Sequence, residues 1–394
     1  MKDYIYLDNS ATTALSSTAK EKLCEMLDNF GNPSSLHAAG DMAARALREA
    51  RRSVLSTLGI RAMSDEQERQ LVFTSSGTEA TSLAILGTAH AKKRREANRI
   101  ITTDSEHPSV ENALRVLSDE GFEIVRLSTV GGVISVEELE KALDKPVFMA
   151  SIMLVNNETG ALYDVKGVFE KIKRRYPDAI THCDAVQGYL KMRITPASLS
   201  ADLITISAHK IHGPKGVGAL YIAPHVLKEK KISPFIVGGG QEHGMRSGTE
   251  NVLGIAAFGA AAEEGSKKMP EAVPHTCALR DLLEKLITEA DVGIYVNKPK
   301  GTRAPHILNI TLPNIKSQTM LNFLSAKGIY VSSGSACSSH SNRTSSTLLA
   351  FGLKESEADS ALRVSFSEYN TEGDVRALVE ALCEGVRTLV KIRR

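Results

Sequence analysis

VFMASIMLVNNETG, residues 147–160, is the stretch on which the fold turns. From Val147 to Val155 the run is uncharged and almost wholly apolar. It reads as a strand covered on both faces, as in parallel sheets whose strands are joined by crossover helices. The abrupt change to NNETG places polar side chains where that strand ends.

Working outward, the same pattern repeats. LVFT (71–74) runs into SSGTEA, RIITT (99–103) into DSEHPS, and DLITIS (202–207) into AHK; AITHCDA (179–185), FEIVRLS (122–128) and GVGALYIA (216–223) read as further strands. Helical spacing joins most of them. Met42, Ala43, Ala46, Leu47, Ala50, Val54, Leu55 and Leu58 lie on one face with Gly59 as the stop, and ALRVLSDEG (113–121) and VFEKIKRRY (168–176) follow the same period. The fold class is α/β, a mostly parallel seven-stranded sheet flanked by helices. After about residue 260 the texture changes. EEGSKKMPEAVPHT (263–276) reads as a polar, proline-containing connection, followed by the strand HILNITLP, the helix SQTMLNFLSAKG and a last helix from Glu372. We therefore expect a large domain over 15–260 and a smaller α+β domain from 1–14 and 261–394 that carries a Ser/Gly-rich loop at 331–346. FGNPSSLHAAG (30–40) belongs with the second domain or with a partner subunit.

Composition excludes several classes. The 394 residues hold 48 basic and 46 acidic side chains, a net charge of +2 that suits neither nucleic acid nor a membrane surface. MKDYIYLDNS lacks an apolar signal core, so a cytoplasmic protein is expected. Cys24, Cys183, Cys277, Cys337 and Cys383 form no C-x-x-C pair, which argues against a disulfide framework or zinc ribbon. His182, Cys183 and Asp184 are consecutive and alternate between faces of a strand, so no metal site is expected.

In parallel sheets, ligands sit beyond the carboxyl ends of the strands. Gly77 and Thr78 open a helix and could cradle a phosphate, or Ser76 could simply cap it. Asp184 ends an apolar strand, as counter-ion to a cation or as a structural salt bridge. Lys210 follows the next strand, as a nucleophilic amine or as that bridge's partner. His107 opens a helix before Pro108, either packing there or stacking on a ligand. One cofactor asks for all four groups together. Pyridoxal phosphate needs a lysine, an acid for its pyridine nitrogen, a phosphate cradle and something flat over the ring.

The chain resembles the cysteine desulfurases, which are class-V-aminotransferase-like, fold-type I pyridoxal-phosphate enzymes. The matching stretches are YLDNSATT (6–13), FGNPSSLH (30–37), FTSSGTEA (73–80), SEHPSV (105–110), VNNETG (155–160), HCDAVQG (182–188), SAHKIHGPKGVGALY (207–221), GGGQEHGMRSGTEN (238–251), SSGSACSS (332–339) and LRVSFSEYNTEGD (362–374). The resemblance implies that Lys210 carries the cofactor, Asp184 faces its pyridine nitrogen, Gln187 its ring hydroxyl, and His107 stacks on the ring. It assigns Gly77, Thr78, Ser207 and His209 to the phosphate, and Thr249 to the phosphate of a second subunit in a homodimer. Asn157 lies near cofactor and substrate, and Arg363 holds the carboxylate of L-cysteine. Cys337, in a stretch that offers nothing to bury it, becomes the thiol that takes sulfur as a persulfide for a protein acceptor. The other four cysteines, in helical or strand patterns, read as structural. The acceptor stays open, whether in iron–sulfur cluster assembly or in thiolation of cofactors or tRNA. A selenocysteine lyase, β-lyase or aminotransferase on the same frame is the alternative, and a non-catalytic binding relative a further one. Several positions depart from the family pattern, among them Asn9 for a frequent tyrosine, Ala208 for a glycine and Ser367 for a glycine. His212 is expected to be structural.

Overall fold

The computed structural model describes residues 4–91, 97–334 and 344–389. Its strands, in chain order, are β1 (Ile5–Tyr6), β2 (Leu71–Thr74), β3 (Arg99–Thr103), β4 (Glu123–Leu127), β5 (Val147–Met153) and β6 (Ile180–Asp184). They continue with β7 (Leu203–Ser207), β8 (Gly218–Ile222), β9 (Tyr295–Val296), β10 (Ile307–Thr311), β11 (Ile329–Tyr330) and β12 (Ala361–Ser365). Seven of them form the large sheet in the order β2-β8-β7-β6-β5-β3-β4. Only β8 runs antiparallel to its neighbours, β2 and β7. The other pairings are parallel, as the both-faces-apolar runs require. β10 lies between β9 and β12 in a three-stranded antiparallel sheet, and β1 pairs with β11.

Two large apolar cores result among the described residues. One fills the large sheet and its helices, with Val72, Ile101, Ile152 and Ile204 wholly buried. The second packs the three-stranded sheet, through Ile310, Leu362 and Val364, against Leu283, Leu324 and Leu378 of nearby helices.

The expected connection at 263–276 is instead helical. One helix runs from Val252 to Ala290 with Pro270 and Pro274 inside it, and the boundary at 260/261 falls within it. Each proline removes one backbone donor, yet the helix continues. Ion pairs one turn apart, Glu263–Lys267 at 2.6 Å and Glu264–Lys268 at 2.5 Å, support its polar face. Its apolar residues enter both cores, Ile255 and Phe258 the first and Leu279 and Leu283 the second. Near its start Gly259 lies against the helix Ala38–Thr57 so closely that a Cβ there would stand 2.5 Å from Ala50 Cα.

Candidate active site

The chemistry gathers beyond the carboxyl ends of β6 and β7, adjacent parallel strands in which Asp184 pairs with Thr205. β6 stops at Asp184, and a short turn after Ser207 raises Lys210 beside it. Together with the ends of β2, β3 and β5 they line a cleft, where open α/β sheets bind their ligands. Gly77, Thr78, His107 and Asn157 line it, and so do Asp184, Gln187, Ser207, His209, Lys210 and Arg363.

Asp184 is buried, and its Oδ1 accepts the Val186 N–H at 3.0 Å. Burial raises its pKa, while His107, that N–H and Lys210 pull the other way. No other donor among the described residues reaches the carboxylate. A protonated ring nitrogen is the kind of donor that would complete it. The Lys210 Nζ donates to the carbonyls of Ser10 at 2.6 Å and Ala11 at 2.7 Å, and Gln187 Nε2 donates to the same Ser10 carbonyl at 2.9 Å.

His107 caps the helix Pro108–Asp119 with its Nδ1, which accepts the Ser109 N–H at 3.2 Å. An accepting Nδ1 leaves the ring neutral with its proton on Nε2. Burial lowers its pKa in the same direction, with Asp184 opposing and Lys210 reinforcing. It is a flat, uncharged wall.

Ser76 caps the helix Gly77–Ala89, accepting the Glu79 N–H at 3.2 Å. Capping and cradle coexist, because the first N–H groups of a helix, here those of Gly77 and Thr78, have no intrahelical acceptor. A Cβ on Gly77 would stand 3.2 Å from Val186 Cγ2 and 3.4 Å from Ser207 Cβ, so only glycine leaves that floor clear. Burial, then Lys210 and Lys215, pull the pKa of His209 down to about 4. Its imidazole therefore offers a neutral group, with Nδ1 3.1 Å from the Thr12 hydroxyl.

Arg363 reaches the cleft from β12 and is 1% exposed. Its Nη1 donates to the Asn157 carbonyl at 2.9 Å and its Nη2 to Asp8 at 2.7 Å, while its buried Nε has no partner among the described residues. The turn carrying Asn157 is set by the Asn156 side chain, which accepts the N–H groups of Glu158 at 3.0 Å and Thr159 at 2.9 Å.

Thr249, which the resemblance assigns to a second subunit's phosphate, does not line this chain's cleft. Thr249 is exposed, on a loop pinned by Arg246–Glu79 at 2.8 Å and by the buried pair Arg51–Glu242 at 2.7 Å. Cys337 lies outside the described residues. Of the other cysteines Cys183 is buried, whereas Cys24 is exposed on the helix Ser17–Leu27 and has no packing role. His182 is a core residue, hydrogen bonded to Ser151 at 2.8 Å and Thr205 at 2.9 Å. His212 adopts φ 64° and sits 2.9 Å from the Ala14 carbonyl and 3.2 Å from Glu368, holding the N-terminal segment.

Asp8, Ser10, Ala11 and Glu106 were not singled out from sequence. The first three lie in YLDNSATT, which carried only a resemblance. Glu106 is buried beside His107, accepting from Thr103 Oγ1 at 2.7 Å and from the Met153 N–H at 3.0 Å. Burial pushes its pKa up to about 8, against those two hydrogen bonds.

The class-V aminotransferase family model matches residues 5–378. The chain is 38% identical over 387 residues to the cysteine desulfurase of Trichormus azollae, covering 98% of this chain and 93% of that protein. It is also 38% identical over 389 residues to the cysteine desulfurase IscS of Clostridium botulinum strain Hall, covering 97% and 94%. Among solved structures a NifS-like protein superposes with a TM-score of 0.89 at 34% identity, covering 98% of this chain and 100% of that one. A structure described as SspA in complex with cysteine superposes with a TM-score of 0.78 at 31% identity, covering 93% and 100%.

Proposed function

The chain belongs to the class-V aminotransferase family and, within it, to the cysteine desulfurases, and on that premise we propose that it converts L-cysteine to L-alanine with pyridoxal 5′-phosphate and passes the sulfur through Cys337 to a protein acceptor. One observation carries the reading. A buried carboxylate short of donors and a lysine amine rise from adjacent strand ends into one cleft, with a helix N-terminus beside them.

The residues fit the cofactor. Asp184 would hold the pyridine nitrogen and Gln187 the ring hydroxyl. Lys210 would supply the amine that binds the cofactor covalently, and His107 would cover its ring. The N–H groups of Gly77 and Thr78, the hydroxyls of Thr78 and Ser207 and the His209 ring are donors for the phosphate. The buried Ser10 hydroxyl, which lines the cleft without a hydrogen-bond partner among the described residues, is one more donor for that site. When bound, the cofactor supplies an electron sink that makes the α-proton of an amino acid acidic.

The chain's own groups supply the remainder. Arg363 holds the substrate carboxylate by charged hydrogen bonds. Lys210 takes the α-proton on Nζ. The Cys337 thiolate then attacks the substrate sulfur. The Cβ–S bond breaks as the new S–S bond forms, its electron pair stays on carbon, and a proton there completes alanine. Cysteine plus thiol become alanine plus persulfide, and no external oxidant or reductant enters. The related structure in complex with cysteine supports this substrate class.

The homodimer is proposed on two grounds. Thr249 is exposed on its pinned loop and does not line this chain's own cleft. Phe30, Leu36 and Val237 also leave large apolar side chains 87%, 105% and 77% exposed, which a second copy could cover. Among the described residues no helix is long and apolar enough to cross a membrane; a cytoplasmic location is part of the proposal.

Cys337→Ala tests the reading. Sulfur transfer from L-cysteine should fall by about two orders of magnitude or more, while exchange of the α-proton with solvent deuterium continues. Undiminished sulfur release from that variant would point to a lyase and overturn the persulfide route.

A further inference from the structure

Arg363 faces the cleft as a guanidinium already engaged on two sides. Neither partner contact comes from a residue assigned to the substrate by its side chain, since Asn157 contributes a main-chain carbonyl and Asp8 does not line the cleft. We infer that Asp8 is a positioning residue for substrate recognition, holding Nη2 of Arg363 while the Asn157 carbonyl holds Nη1, so that the plane of the guanidinium is set before an amino-acid carboxylate arrives. The inference rests on the function proposed above and adds to it a residue that determines affinity.

The geometry supports rigidity. Asp8 sits in an isolated parallel bridge with Ser365, two positions along β12 from Arg363 itself. Ser365 donates its N–H to the Leu7 carbonyl at 2.7 Å, and its carbonyl accepts the Asn9 N–H at 3.3 Å and the Asn9 side chain at 2.9 Å. Backbone contacts on both sides of Asp8 therefore tie its carboxylate to the strand that carries the guanidinium. With 18% of its side chain exposed against 1% for Arg363, the pair is largely shielded from water. A buried guanidinium left without its carboxylate pays for the missing charge or moves to find another.

Two of the five N–H donors of Arg363 are used this way, and the Nε–H is shut off from solvent. Among the described residues the second hydrogen of each of Nη1 and Nη2 is uncommitted, and a fork with two such N–H groups can meet a carboxylate bidentately. The same N-terminal segment turns next to Lys210 through the Ser10 and Ala11 carbonyls. One stretch of chain thus fixes both the guanidinium and the amine between which the substrate must fit.

The experiment compares Asp8→Asn and Asp8→Ala with wild type, on holoenzyme, for L-cysteine and for cysteamine, which lacks the carboxylate. The expected result is a KM for L-cysteine raised about 10-fold or more, with kcat within a few-fold and α-proton exchange at saturation retained. The dissociation constant of L-alanine, measured by calorimetry, should weaken in parallel, and the response to cysteamine should not change. Unchanged or tightened L-cysteine binding overturns the inference, the latter because it would make Asp8 a competitor for Arg363. Equal losses for cysteamine and cysteine, or failure of both variants to fold, would assign Asp8 to stability alone and overturn it as well. A wild type without desulfurase activity contradicts the proposed function instead, so the two failures are distinct.

Discussion

Asp184 ends a strand of the large sheet and Asp8 bridges to β12 of the three-stranded sheet, and the fold treats them in opposite ways. Burial raises the pKa of both carboxyls. At Asp8 the first opposing influence is a guanidinium 2.7 Å away. At Asp184 it is the charge interaction with His107, a ring whose own pKa is lowered, and the hydrogen bond is a single backbone N–H. The region at the large sheet's rim is thus built with an unmatched carboxyl that a cationic ring nitrogen would meet. The region beside the three-stranded sheet has its charges matched in advance. The first arrangement suits taking up a cofactor, and the second suits orienting a substrate.

The strongest way to break this contrast is to remove the amine from the large-sheet side. Lys210→Ala should reduce α-proton exchange of L-cysteine by about three orders of magnitude or more, measured by deuterium incorporation, while circular dichroism stays that of the folded protein. Exchange that persists would show that the proton moves to another group and that the rim is misassigned.

On the matched side a smaller effect is expected. Arg363→Ala removes charged hydrogen bonds worth about 1.5–3 kcal/mol, so KM for L-cysteine should rise about 10- to 150-fold. An unchanged KM would detach Arg363 from the carboxylate and dissolve the division of labour between the two regions.

The smallest effect sharpens the comparison through Glu106, which lies under the rim. Its folded pKa of about 8 exceeds its ordinary value of 4.5. Between those values the folded protein keeps a proton that the unfolded chain releases, so stability is lost as pH rises through this window. Glu106→Gln keeps a neutral side chain of the same shape and should flatten that decline. Thermal melts between pH 5 and 9 should show wild type losing several degrees more than the variant. Parallel curves would place the Glu106 ionisation elsewhere.

Much of the rim was legible because its signals are local. An apolar run shows that a strand is covered on both faces, and the polar residues that follow show where it ends. Asp184 closes such a run, and His107 and Lys210 sit four and three residues past theirs. The helix Val252–Ala290 was misread at 263–276 because two prolines outweigh helix-forming neighbours in a local reading, whereas burial of the same helix in two cores outweighs the prolines. Asn9 and Ser367, separate departures in the sequence, meet in space at Asn370, whose Oδ1 lies 3.2 Å from the Asn9 amide and 2.9 Å from the Ser367 N–H.

The sequence alone determined which strands build the large sheet and which of their ends carry ionisable groups, since both follow from residue order over a few positions. It could not show that Arg363 is already held by a carboxylate 355 residues away, nor that Lys210 leans on a carbonyl 200 residues away. Only the tertiary structure decided which charges were matched and which were left for a ligand, because pairing depends on distance in space and on the exclusion of water.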